Sequence, residues 1–135
     1  FHAGTAPMFR DDPAVGIERF RSFVDSYPKV RACGAHMGTY EHEAFMQLAR
    51  DRENVFLDTT FAMSAVAETY MDFDPSVISD AELTALSDRI MYGSDYPNIP
   101  YPYDRERVHL LERNLSTETQ RDIFCRTARR FLGEL

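Results

Sequence analysis

The sequence is short of basic charge, of long apolar runs and of cysteine, and each shortage excludes a class of function. Lys and Arg number 15 against 22 Asp and Glu, a formal net charge of −7. Binding to phosphate backbones or anionic membranes rests on clustered Lys and Arg, so neither nucleic acid nor a membrane is expected as a partner. The one basic cluster, Arg126, Arg129 and Arg130, falls in a helical pattern and reads as a solvated face. No stretch approaches the roughly 18 apolar residues that span a bilayer, and there is no signal-peptide pattern. The two cysteines, Cys33 and Cys125, each lie in apolar segments. They read as buried free thiols of a reducing compartment, which makes the expected location cytoplasmic. No GxGxxG or GxxxxGK(S/T) loop follows any candidate strand, which weighs against an open doubly wound sheet.

What is present is core material. Hydrophobic residues make up 44% of the 135, with ten Phe and seven Tyr, enough to fold as one soluble domain or as part of one. Residue 1 is Phe rather than Met, so the sequence reads as starting inside a longer protein.

Three short apolar segments, residues 30–36, 54–59 and 89–95, are β-prone in the middle and polar at their C-terminal ends. Phe1-His2-Ala3-Gly4 reads as the end of a fourth strand. Helical patterns fill the spaces. Asp12 as N-cap with Pro13 opens one that carries Ile17, Phe20, Phe23, Val24 and Tyr27. Residues 43–52 place Phe45, Leu48 and Ala49 on one face, and Ser79 with Glu82 forms a capping-box signature ahead of Leu83 and Leu86. Asp104 can cap a helix with Val108 and Leu111 inward. Thr117 with Gln120 opens a last helix, with Ile123, Phe124, Thr127, Ala128 and Phe131 inward, that stops at Gly133. Alternating strands and helices imply a parallel sheet. A repeat of about 30 residues is the unit of a (β/α)8 barrel of roughly 250 residues, and four such units account for nearly all of this chain, although an open doubly wound sheet also fits the alternation.

In parallel α/β architectures the reacting groups project from the C-terminal ends of strands. His2, His36 and Asp95 stand there, and imidazole and carboxylate are ligands of catalytic zinc. His42, just before the helical pattern of residues 43–52, and His109, on a late helix, read as surface and structural residues. Thr59 and Tyr96 follow strand ends and are expected to touch substrate, as are Thr60 and Phe61.

Ala35-His36-Met37-Gly38, then Gly93-Ser94-Asp95-Tyr96-Pro97, then Ala128-Arg129-Arg130-Phe131-Leu132-Gly133 resemble the amidohydrolase-related family of metal-dependent (β/α)8 barrels. That family includes aminocarboxymuconate-semialdehyde decarboxylase and hydrolase relatives. Phe1-His2-Ala3-Gly4 is similar to the end of its fifth strand. The resemblance covers the whole chain and implies an α/β fold, the C-terminal half of a TIM barrel (strands 5 to 8 with their helices), over residues 1–135. It implies that His2 and Asp95 are metal ligands, that Asp95 also moves a proton, and that His36 acts on the water or the substrate carbonyl. The implied cofactor is a divalent metal, Zn or alternatively Mn. The implied partners are a small-molecule substrate, a second copy in a homodimer, and an N-terminal half of the barrel bearing a His-x-His pair that these residues lack. Thr127 stands where many relatives have Asn, and Thr39 where a second Gly is common.

The expected activity is metal-dependent hydrolysis of a small carboxylated or cyclic substrate by metal-activated water. Nonoxidative decarboxylation by the same ligands is the alternative, and a noncatalytic fragment or pseudoenzyme is the alternative of another class.

Overall fold

The computed structural model describes residues 1–6, 9 and 12–135. Its centre is a three-stranded parallel sheet of β1 (Ala32–Gly34), β2 (Val55–Asp58) and β3 (Ile90–Met91), in chain order. Ala32 pairs with Val55 and Gly34 with Leu57, while Leu57 pairs with Ile90 and Asp58 with Met91. Strands covered on both faces read as continuous apolar runs rather than alternating ones, and Ala32, Val55, Leu57 and Ile90 are fully buried. The expected strand at residues 89–95 is shorter than its apolar run. After Met91 the Tyr92 amide donates to the Ile123 carbonyl at 2.8 Å, and the Gly93 amide donates to the Thr59 hydroxyl at 3.2 Å, so the backbone leaves the ladder there. Phe1 lies beside β1, donating to the Cys33 carbonyl at 2.6 Å and accepting from the Ala35 amide at 2.9 Å, but it belongs to no strand of its own.

Helices α1 (Ile17–Ser26) and α2 (His42–Asp51) supply the core beside β1. Phe20 and Phe45 stack at 5.3 Å between ring centres. Helix α1 starts five residues beyond Asp12, which instead closes a tight turn by accepting from the Ala14 amide at 2.8 Å. Glu41 takes over at the true start. Its two oxygens accept from the Ile17 amide at 3.1 Å and the Thr5 amide at 3.2 Å, so a carboxylate reached from far along the chain satisfies a free helix donor. Tyr27, expected inside that helix, lies past its end and is exposed.

Beyond β2 come α3 (Ala67–Met71), a 3-10 turn (Pro75–Val77) and α4 (Asp80–Ala85). Helix α4 opens on the expected capping box, with Leu83 and Leu86 buried. The Ser79 amide and hydroxyl bond Glu82, holding its carboxyl below the usual range. That contribution is present above the ordinary Glu pKa of about 4.3 and is lost as the pH falls through the lower folded value. Ser79→Ala should therefore cost about 1 kcal/mol near neutrality. In urea titrations between pH 7 and pH 3 the gap from the native protein should narrow as the pH drops.

The chain closes with α5 (Asp104–Glu112), α6 (Thr117–Arg121), a π-helical turn (Asp122–Arg126) and α7 (Thr127–Leu132). Ser116, not Thr117, caps α6, accepting from the Thr119 amide at 3.1 Å. A π turn shifts the hydrogen-bond register by one residue, and here the Ile123 carbonyl is the one that receives Tyr92. Thr127 is buried and donates to the Ser87 carbonyl at 2.7 Å. Arg126 and Arg130 pair with Glu118 and Asp122. Helix α5 departs from expectation: Val108 and Leu111 are 37% and 47% exposed, and Glu106 and Leu110 point inward. Both cysteines are free, but neither is fully buried as expected: Cys33 is half-buried and Cys125, on the π turn, is exposed. Among the described residues no helix is long and apolar enough to cross a membrane.

Candidate active site

Residues following all three strands meet at the C-terminal edge of the sheet. After β1 the chain enters a short turn, Ala35–Gly38, in which His36 (φ 57°, ψ 32°) and Met37 (φ 54°, ψ 13°) both take the left-handed conformation. Non-glycine residues adopt it only where the surroundings hold them there. Asp58, the last residue of β2, does the holding. Its Oδ1 accepts from the His36 amide and the Thr60 amide, each at 3.1 Å, and from the Thr60 hydroxyl. Its Oδ2 stands 3.6 Å from the Cys33 thiol, whose pKa burial and this carboxylate both raise. Thr39, with φ 48°, completes the turn in a conformation that glycine takes at lower cost.

The His36 ring is oriented from the other side. Its Nδ1 lies 2.9 Å from the Thr60 carbonyl and 2.8 Å from the Thr60 hydroxyl. A carbonyl only accepts, and that hydroxyl already gives its proton to Asp58, so chemistry assigns the proton to Nδ1. In the neutral ring Nε2 then carries the lone pair. It lies 3.1 Å from His2 Nδ1, which must donate, leaving His2 Nε2 as the free lone pair of that ring. Burial first, and then the neighbouring His36 ring, lower the His2 pKa, against the pull of Asp95 and Asp58.

Asp95 follows β3, also left-handed at φ 54°. It joins His2 and His36 in lining one cavity of about 180 Å³, whose remaining wall includes Phe9, Phe61, Tyr70 and Met71. Thr59 is fully buried and turned toward the Gly93 backbone, and it is not among the lining residues. Tyr96 is 67% exposed, stands against Tyr103 with ring centres 6.0 Å apart, and also lies outside the lining. Phe61 is the residue of the Thr59-Thr60-Phe61 run that reaches the cavity, and Thr60 acts through His36. His42 begins α2, its Nδ1–H donating to the Thr39 carbonyl at 3.2 Å, with its ring edge on Phe73. His109 is half-buried with its Nε2 unpartnered among the described residues.

Two parts of the site were not read from the sequence. Tyr70 and Met71 come from α3, too short to give a helical period. Glu106 is fully buried. Its Oε1 accepts from the Tyr101 hydroxyl at 2.8 Å and from the Phe61 amide. Burial pushes its carboxyl up to about 7, against those two bonds, with Asp58 and Asp95 adding to the rise. Asking which residue shares a helical face with Leu110, four positions on, would have found it.

Parallel strands covered by helices, with titratable groups clustered beyond their C-terminal ends, make this an α/β protein. An uncharacterized TIM-barrel protein from Bordetella bronchiseptica superposes with a TM-score of 0.66 at 18% identity, over 87% of this chain and 39% of that one. The chain thus spans about two fifths of that structure's length, and the likeness concerns the fold alone. No curated protein matches the chain significantly. The family model described as Amidohydrolase matches residues 1–133, and the chain belongs to that family.

Proposed function

We propose that the chain is the C-terminal half of a metal-dependent (β/α)8 hydrolase, with His2 and Asp95 as metal ligands and His36 and Asp95 as proton carriers. The observation that carries this reading is that His2, His36 and Asp95, from three separate segments, line a single cavity in a member of the amidohydrolase family. The donor chemistry fits a borderline divalent ion such as zinc, with manganese as the alternative. The set is incomplete in this chain: a catalytic zinc takes three protein ligands. Among the described residues no three His, Cys, Asp or Glu side chains come close enough together to hold an ion. The N-terminal half of the barrel is proposed to supply the rest.

When bound, a divalent ion there lowers the pKa of a water toward 7 and polarises a carbonyl. This chain's residues do the remaining work. His36 Nε2, oriented by the Thr60 and Asp58 contacts behind it, accepts from His2 Nδ1 at 3.1 Å and takes a proton at the reacting atoms once substrate displaces that contact. Asp95 offers a second acceptor at the opposite strand end, and Phe61 and Tyr70, rather than Thr59 and Tyr96, face the substrate.

In the full-length protein, metal analysis should find up to one zinc or manganese per chain. His36→Ala should lower turnover of a responsive lactone or amide by roughly 10²- to 10⁴-fold while metal content is kept. Undiminished turnover would remove the role of His36. Release of CO2 from an aromatic acid, without hydrolysis, would replace the hydrolase reading by the decarboxylase one.

A further inference from the structure

Glu106 takes no part in the chemistry above, yet it is tied to the cavity wall at two points. A buried carboxylate is costly to keep unless its oxygens are matched, and here only Oε1 is. Oε2 is buried with no partner among the described residues. The residue that receives this support is a strained one. Phe61 has φ 63°, a conformation that a bulky side chain rarely adopts, and its amide is one of the two donors to Oε1. The other donor, Tyr101, packs its ring against Phe61 at 5.4 Å and against Tyr70 at 6.0 Å, with Phe61 and Tyr70 6.4 Å apart. Phe61 and Tyr70 line the cavity. One carboxylate oxygen therefore sets both the backbone of the first ring and the hydroxyl of the third.

We propose that Glu106 is a positioning residue that holds the Phe61–Tyr70–Tyr101 wall in place and so selects ligands with a flat, single-ring body beside His2, His36 and Asp95. The inference rests on the cavity's being the substrate site. The lining is in keeping with it: beside His2, His36 and Asp95 the cavity is walled by Phe9, Phe61, Tyr70 and Met71, apolar and aromatic side chains suited to a flat ring. Edge-to-face geometry, as between Phe61 and Tyr70, leaves ring faces and edges for a further ring to pack on.

The test compares two neutral probes of similar size, benzamide (flat) and cyclohexanecarboxamide (not flat), bound to the full-length protein and followed by NMR titration. The native protein should bind benzamide about tenfold more tightly, the scale of one aromatic contact. Glu106→Leu removes the acceptor and should bring the two affinities within about threefold. Glu106→Gln keeps an oxygen at Oε1 for both donors and should restore the preference, a rescue that a bulk packing role would not require. A folded Glu106→Leu protein with an unchanged preference, or a folded Glu106→Gln protein without it, overturns the proposal. If Glu106→Leu does not fold, Tyr101→Phe keeps the ring and removes one donor, and an unchanged preference there is equally fatal. Binding is read without turnover. Probe binding with no preference in the native protein therefore overturns only the role of Glu106, whereas absence of any binding overturns the cavity as substrate site as well.

Discussion

Asp95→Ala in the full-length protein is expected to lower kcat/KM by roughly 10³-fold or more and to strip bound metal on dialysis. The size of the effect follows from two duties on one side chain. Asp95 is proposed as a ligand in a set to which this chain contributes only two members, and even supporting residues around a metal are worth roughly 10- to 100-fold in affinity. It is also the carboxylate proposed to carry a proton, lining the same cavity as the His36 ring. Asp95→Asn separates the duties: the amide oxygen can still contact a cation but cannot carry a proton at neutral pH. Turnover should then stay low while some metal returns. Metal content by elemental analysis and initial rates on the same samples check both arms. Retained activity in Asp95→Ala would refute the assignment.

Asp58→Ala is expected to lower stability by roughly 3 kcal/mol or more, since hydrogen bonds to a charged acceptor are worth about 1.5–3 kcal/mol each. Three donors end on a single oxygen: the amides of His36 and Thr60 and the Thr60 hydroxyl. Their removal releases two consecutive left-handed residues, His36 and Met37, each costing of order 1–3 kcal/mol to hold. Turnover should fall together with stability, because Thr60 relays the grip of Asp58 to His36 Nδ1. Thr60→Val cuts only the hydroxyl link. It should spare most of the stability and leave the Thr60 carbonyl as the partner of the ring. Denaturant midpoints measured alongside rates would show the difference. A loss below about 1 kcal/mol in Asp58→Ala would mean that water replaces its bonds at little cost.

The alternation of apolar strands with amphipathic helices was legible because its signal is periodic. The Ser79–Glu82 capping box and the burial of Phe45, Leu48 and Leu83 follow from patterns a few residues long. His2, His36 and Asp95 were legible as strand-end residues, and the fold brings them around one cavity. What was not legible depends on distant partners. Asp12 loses the start of α1 because Glu41, more than twenty residues on, reaches the Ile17 amide instead. Residues 92–95 leave the ladder because a π turn thirty residues later presents the Ile123 carbonyl. Glu106 resembles any surface acid in Asp104-Arg105-Glu106-Arg107, and only the Phe61 amide and Tyr101 hydroxyl make it an inner residue. Thr59 looks like a site residue by position, yet its neighbour Thr60 has the geometry to act on His36.

The column of Gly4, Gly38 and Phe45 sets where this protein can change its chemistry. A Cβ on Gly4 would lie 2.5 Å from the Gly38 carbonyl oxygen, and one on Gly38, itself at φ 81°, would lie 2.4 Å from the Phe45 ring. The backbone around the His36 turn therefore has no slack to absorb a new side chain at Gly4 or Gly38. Laboratory evolution toward other substrates should keep that backbone constant and draw its successful variants from the cavity wall, at Phe61, Tyr70 and Met71.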